Sequence, residues 1–287
     1  MNAGKRRVVE EDMKEKEAEV RLHILGARGS VPTDGEEYRI FGGATSCVYL
    51  EWNDARIILD AGSGLLRLKD QNMERALPWY LFLSHYHSDH LLGLPMWKPM
   101  YDRRFKLTVC GADFQMPPKN AIDALMREPL WPVGEEAFLA NIAFRQLSGA
   151  FPLAGGGPVA ECMRAKHPGG VALYRFSGGN KRVVYATDCE LDDKSEKELK
   201  EFAKNADIII LDAQYLPQEY TKFRGFGHNA IARACRLLNE LGPGIGLLFH
   251  HAPEHEDELL LSLEREYRQN NENADIRFAR AGEVITL

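Results

Sequence analysis

Apolar and polar positions alternate with period two from Val20 to Leu25 (VRLHIL), a pattern that predicts a strand. The strand runs into GARGSVP, a Gly-rich turn closed by Pro32. Two more strand patterns, Ser46 to Trp52 and Arg56 to Leu59, flank Asn53-Asp54-Ala55, which reads as a hairpin. Trp79 to Ser84 (WYLFLS) and Asp207 to Leu211 (DIIIL) are short apolar runs without alternation, as expected of buried strands. Lys106 to Cys110, Val159 to Ala165, Val171 to Phe176, Arg182 to Ala186 and Gly246 to Phe249 add further strands. Helices are expected at Lys119 to Arg127, Ser195 to Asn205, Asn229 to Leu241 with Gly242 just past its end, and the strongly charged Glu256 to Asn270. Asp275 to Leu287 has room for two short strands. Strands interspersed with helices predict a layered α/β domain over residues 20–287. The stretch AFPLAGGG, Ala150 to Gly157, either separates two halves of one sandwich or marks a hinge. Residues 1–19 mix both charges and read as a solvated terminal extension.

Composition narrows the class. Hydrophobic residues make up 45% and charged residues 27% of 287, which excludes disorder for the bulk of the chain. Lys plus Arg (36) against Asp plus Glu (42) gives −6, which disfavours a whole-surface nucleic-acid binder but leaves a local basic patch open. No apolar run approaches the length of a membrane span, and the start of the chain lacks the apolar core of a leader peptide. The five cysteines are odd in number, scattered and without a CxxC pair, so a reducing cytoplasm is the expected compartment.

The densest chemistry follows the buried strand that ends at Ser84. His85, His87, Asp89 and His90 form HxHxDH, and imidazole with carboxylate is a natural ligand set for zinc and related cations. Two histidines spaced by two on an extended segment point to the same side, so His85 and His87 can grip one metal. Asp89 and His90, rotated away as the chain turns, can serve a second.

LSHYHSDHLLGL resembles the signature of the metallo-β-lactamase superfamily, and the resemblance extends from about Val20 over nearly the whole chain. ILDAGSG resembles the family's second motif, whose aspartate, here Asp60, supports the metal ligands. His167 in AKHPGG matches the third motif, and Asp188 in VVYATDCE the fourth, a carboxylate bridging two metals. LLFHHAPEH matches the fifth; His250 fits the spacing after the apolar strand, with His251 as the runner-up. The resemblance implies an αββα sandwich of two mixed β-sheets flanked by helices, with two divalent metal ions in a cleft at one edge. His85, His87 and His167 would bind one ion, Asp89, His90 and His250 the other, with Asp188 between them. Zinc is the expected metal; manganese, iron and nickel suit the same donors. His255 reads as a surface residue at a helix start.

Two departures refine the branch. Position 87 is histidine where the redox-active di-iron branch carries glutamate, and position 188 is aspartate where the zinc β-lactamases use cysteine. The adjacent Cys189 reads as a small hydrophobe. GFGHNAIARACRL is similar to the GHST-type motif of the phosphodiesterase branch, which includes the tRNA 3′-processing endonucleases; Asn229-Ala230 replaces Ser-Thr. The resemblance implies that His228 assists the leaving group, the plainer reading being a helix-cap histidine.

This set suits phosphodiester cleavage. Two cations about 3.5–4 Å apart offset the substrate's charge and acidify a bridging water, whose hydroxide attacks phosphorus. Asp188 and Asp89 would orient that hydroxide, and His228 would protonate the leaving alkoxide. Arg28 could reach a phosphate, although a surface arginine is the commoner case. The tRNA-processing members carry a long arm between the third histidine and the bridging aspartate. Here positions 168 to 187, only 20 residues, separate His167 from Asp188. A small-molecule or cyclic phosphodiester is therefore expected, with nucleic acid open but not favoured and no membrane partner. Competing readings are hydrolysis of a thioester, lactone or amide on the same metals, a tRNA 3′-end endonuclease, and a metal-stabilised binding or regulatory protein without turnover. Trp97, Met100, Tyr101 and Trp131 could line a substrate pocket or a homodimer contact.

Overall fold

The computed structural model describes residues 18–69, 73–269 and 275–287. Most of the charged N-terminal extension, and Asn270 of the last expected helix, lie outside the described residues. The first half of the chain forms strands β1 (Val20–Gly26), β2 (Cys47–Trp52), β3 (Ala55–Leu59), β4 (Trp79–Phe82), β5 (Lys106–Ala112) and β6 (Asn141–Leu147). The second forms β7 (Phe151–Pro152), β8 (Val159–Ala165), β9 (Val171–Gly178), β10 (Lys181–Ala186), β11 (Ile208–Asp212), β12 (Ile245–Phe249) and β13 (Asp275–Phe278). A last strand, β14 (Val284–Thr286), returns to pair with β1.

Among the described residues these strands make two mixed seven-stranded sheets, ordered β14-β1-β2-β3-β4-β5-β6 and β13-β12-β11-β10-β9-β8-β7. In the first, β3, β4, β5 and β6 run parallel; in the second, β10, β11, β12 and β13 do. The expected punctuation around residue 150 is where the chain passes from one sheet to the other.

Helices α1 (Pro118–Leu125), α2 (Asp193–Phe202), α3 (Pro217–Phe223), α4 (Ile231–Leu241) and α5 (Asp257–Gln269) connect the strands. Apolar residues from both sheets meet in one core, including Leu50, Ile57 and Phe82 from one side and Tyr174, Tyr185 and Ile210 from the other. Phe82 meets Tyr174 at 5.2 Å and Phe176 at 5.0 Å, both edge to face. The outer face of the second sheet packs Ile209 and Leu211 beneath α4 residues Ile231, Ala234 and Leu238. The outer face of the first packs Trp79 and Leu81 with Trp97, Met100, Phe105 and Ile122. This is the four-layer αββα arrangement expected from the sequence. It explains why β4 and β11 read as unbroken apolar runs: alternate residues face two different cores, each burial contributing roughly 1.5–3 kcal/mol.

Several boundaries differ. α2 begins at Asp193 rather than Ser195, because Asp192 caps it: its carboxylate accepts the amides of Lys194 and Ser195. α4 begins two residues later than expected, as Tyr215 forms a bridge with Ala230. β6 and α3 lacked a usable pattern: β6 is a half-exposed edge strand and α3 buries no residue. Trp97 and Met100 are buried in the core of the first sheet's outer face. No helix among the described residues is long and apolar enough to cross a membrane.

Candidate metal centre

The parallel strands bring their C-terminal ends to one edge of the sandwich. β4 leads into His85, His87, Asp89 and His90. β8 leads to His167, β10 to Asp188, β11 ends in Asp212, and β12 leads to His250. Asp60, Asp188 and His250 all take the left-handed conformation, with φ of 59°, 53° and 65°. Non-glycine residues rarely adopt it, at a cost of about 1–2 kcal/mol each. Each sits one residue past a strand, or two in the case of Asp188, so the turn swings its side chain toward the shared edge.

Ligand atoms of His85, His87 and His167 lie within 4.8 Å of one another, as do those of Asp89, His90, Asp188 and His250. Asp188 stands between the groups. Its Oδ2 is 3.7 Å from His85 Nε2, 3.9 Å from His167 Nε2 and 3.3 Å from His250 Nε2, and its Oδ1 is 3.3 Å from His90 Nε2. Asp89 Oδ2 approaches His250 Nε2 at 3.1 Å and His90 Nε2 at 3.3 Å. The rings of His85 and His87 are 4.5 Å apart, on the same side of their segment as the spacing requires. His87 alone of these seven is exposed; the others are buried. His251 faces away: its Nε2 meets the Ala279 carbonyl at 2.9 Å.

Four of the five histidines are held by their other nitrogen. Asp60 Oδ2 is 2.7 Å from His90 Nδ1, Gln214 Oε1 is 2.9 Å from His250 Nδ1, and the Gly227 carbonyl is 3.0 Å from His167 Nδ1. Ser84 Oγ is 3.0 Å from His85 Nδ1. Among the described residues, the buried Nε2 atoms of His85 and His90 have no hydrogen-bond partner. An orphaned buried nitrogen is costly unless something else takes its lone pair, which a cation does. These His and Asp clusters are suited to a metal site.

The electrostatics divide the site. Burial pushes His85 well below the ordinary imidazole value and His167 down to about 4, so both are neutral donors at pH 7. Burial also opposes charge on His90, but Asp188, Asp89 and Asp60 outweigh it and raise its pKa well above normal. Asp89 and Asp188 are buried, yet the surrounding histidines hold both far below the carboxylate range. The edge is thus anionic on one side and made of neutral imidazole on the other.

His228 lies beside this centre, its ring 4.8 Å from His250 and 5.2 Å from His167. Its Nδ1 is 2.7 Å from Asp212 Oδ2 and 4.0 Å from Asp188 Oδ2. Burial lowers its pKa, but Asp212 more than compensates and lifts it to about 8. Asp212 also accepts the amides of Asn229 at 2.6 Å and Asp188 at 3.2 Å.

Sequence reasoning missed Asp212, Gln214 and Glu190. Glu190 is buried and accepts from the Tyr220 hydroxyl and the amides of Gly225 and Gly227, fixing the loop before His228. The position of Asp212 at the end of an apolar strand was the available signal. Arg28 is corrected on both readings: it neither faces a phosphate nor lies on the surface. It is fully buried, donating to the carbonyls of Gly42, Ala252 and His255. His255 is likewise buried, with Nε2 at 3.0 Å from Glu219.

A family model described as the beta-lactamase superfamily domain matches residues 55–251. The probable metallo-hydrolase YhfI of Bacillus subtilis is 25% identical over 232 residues, 80% of this chain and 86% of that protein. The crystal structure of the metallo-beta-lactamase fold protein YhfI superposes with a TM-score of 0.72, covering 95% of this chain and all of that one at 20% identity. A diphosphatase from the PhnP family gives 0.67 at 17% identity, covering 93% and 97% of the two chains. The short form of human tRNase Z gives 0.64 at 15%, covering 92% and 98%.

Proposed function

The chain belongs to the β-lactamase superfamily, and from that premise we propose that it is a dinuclear metal-dependent phosphodiesterase acting on a small or cyclic phosphodiester. The observation that carries the reading is the Asp212–His228 pair set against Asp188 at the edge of the metal cluster. A leaving alkoxide needs a proton, which His228 is placed to give, and the motif that carries this histidine, GFGHNAIARACRL, is the one similar to the phosphodiesterase branch.

His85, His87 and His167 would hold one cation, Asp89, His90 and His250 the other, with Asp188 shared; zinc suits this nitrogen and oxygen set. When bound, such cations offset the charge of a phosphodiester and make water a nucleophile near neutral pH. The chain's own residues do the rest. Asp188 and Asp89, ionised throughout the neutral range, accept hydrogen bonds from the attacking water and fix its direction. Ser30 donates its amide to Asp89 Oδ2 at 2.8 Å and holds that carboxylate in place. Asp212 keeps the Nδ1 proton of His228, so Nε2 carries the transferable proton. The preference for a small substrate is supported by β9 and β10, which take up the residues between His167 and Asp188.

The test is hydrolysis by the metal-loaded protein of bis-p-nitrophenyl phosphate and of an alkyl phosphodiester, beside a thioester and a lactone. Phosphodiesters alone should be cleaved. Asp188→Ala should abolish turnover. His228→Ala should lower the rate on the alkyl ester by about 10²–10⁴ but much less on the p-nitrophenyl ester, whose leaving group needs no proton. Parental rates in both variants, or preference for the thioester or lactone, would overturn the assignment.

A further inference from the structure

A cavity of about 560 Å³ adjoins the metal centre, within the range typical of small-molecule sites. Three of its lining residues also touch the centre. Ser30 donates to Asp89, Gln214 meets His250, and the Tyr215 ring lies edge-on to His228 at 5.7 Å. Its far wall is aromatic. Tyr215 stacks on Phe223 at 5.3 Å and 25°, and Phe223 packs against Phe226 at 5.6 Å. Folding does not bury this wall: Phe226 is 60% exposed and Phe223 39%.

Resting on the phosphodiesterase reading, we infer that this pocket binds the base of a nucleoside phosphodiester. The aromatic rings provide the face of the site, since any base stacks on a phenyl ring. The polar groups provide its edges. Among the described residues, the Lys222 ammonium and Glu254 carboxylate that line the pocket have no ion-pair partner. Glu254 can accept from an exocyclic amino group, and Lys222 can meet a ring acceptor or a phosphate oxygen. The third charged lining group, Glu219, is already committed to the Leu216 amide and His255. A phosphodiester without a base would leave the aromatic wall in water.

The wall is also fixed. The Glu190 carboxylate holds Tyr220, Gly225 and Gly227, on either side of Phe223 and Phe226. The pocket is therefore formed before a ligand arrives, which lowers the ordering cost of binding.

The test is calorimetric titration of the metal-loaded protein with adenosine 5′-monophosphate and with ribose 5-phosphate, which share a phosphate and a sugar but not a base. Adenosine monophosphate should bind at least ten-fold tighter, a difference of about 1.4 kcal/mol. The ratio should fall to three-fold or less in Phe226→Ala and recover in Phe226→Tyr, which keeps a stacking face. Equal affinities in the parent, or an unchanged ratio in Phe226→Ala, would overturn the inference. Cleavage of adenosine 2′,3′-cyclic phosphate is scored separately. Base-selective binding without cleavage removes the phosphodiesterase reading and leaves the pocket standing. Cleavage without base selectivity does the reverse.

Discussion

Replacing Asp60 by asparagine tests how the buried carboxylate prepares the metal site. Asp60 Oδ1 accepts the Ser84 amide at 2.7 Å. Its Oδ2 takes the Ser84 hydroxyl at 2.7 Å, the Tyr185 hydroxyl at 2.8 Å and His90 Nδ1 at 2.7 Å. In Asp60→Asn an NH₂ must occupy one of these two positions. Placed at Oδ1, it opposes a backbone N–H that cannot turn, at a cost of about 1–3 kcal/mol. Placed at Oδ2, it faces two hydroxyls that can rotate to accept, and a histidine that can accommodate it only with Nδ1 unprotonated and the ring proton on Nε2. That proton then occupies the nitrogen 3.3 Å from both Asp89 and Asp188, the lone pair a cation would take. Asp60→Asn should therefore weaken metal affinity by about 10–100-fold, or roughly 1.4–2.8 kcal/mol. A competition titration against a chromophoric chelator measures it. Tyr185→Phe is the control: Asp60 keeps three donors and His90 keeps its tautomer, so stability falls by about 1 kcal/mol and metal affinity stays within a few-fold. Metal affinity within two-fold of the parent in Asp60→Asn would refute the tautomer argument.

Three further outcomes are expected. Gly227 has φ 98°, and a Cβ there would meet His167 Nδ1 at 2.1 Å; a Cβ on Gly29 would meet His250 Nδ1 at 2.4 Å. Gly227→Ala and Gly29→Ala should each displace a ring and lower metal affinity ten-fold or more by the same titration, whereas unaltered binding would mean that the rings have room to move. Glu190→Gln should leave one backbone amide of the 225–227 loop unsatisfied, destabilise the fold by about 1–3 kcal/mol in urea, and lower kcat through a misplaced His228; a stability equal to the parent's would contradict the loop's dependence on that carboxylate. Glu196 is buried against Arg236, Lys200 and Arg233, which hold its pKa down to about 2. A depressed carboxylate stabilises above its ordinary value near 4.5 and loses that contribution as pH falls toward 2. With the arginines partly in solvent, Glu196→Gln should cost about 1 kcal/mol at pH 7 and nothing near pH 2, read as the difference in urea midpoints of the metal-free proteins. A constant difference across that range would exclude the network.

Legibility in the sequence followed locality. HxHxDH was readable because four donors lie within six positions on one strand end. The buried strands were readable because apolar runs such as Ile208 to Leu211 face two cores. His228 could be found from its motif, but its partner Asp212 could not be assigned. Their contact exists only because β10, β11 and β12 end side by side, a property of strand order that no local pattern carries. Arg28 misled for a related reason. Its guanidinium is caged by carbonyls from positions 42, 252 and 255, and a chain read in order offers no hint that these converge. Weak amphipathicity hid the rest, as with the half-exposed β6 and the seven-residue α3.

The two sheets contribute unequally to the centre, and neither is sufficient. His85, His87, Asp89 and His90 hang from one leaf; His167, Asp188 and His250 hang from the other. Cations there would act as a clasp across the open lip of the sandwich, while aromatic packing between Phe82, Tyr174 and Phe176 hinges the interior. Loss of such ions would leave Asp89 on one leaf and Asp188 on the other, both buried, to repel each other across the lip, so metal supply would become part of what keeps the protein shut.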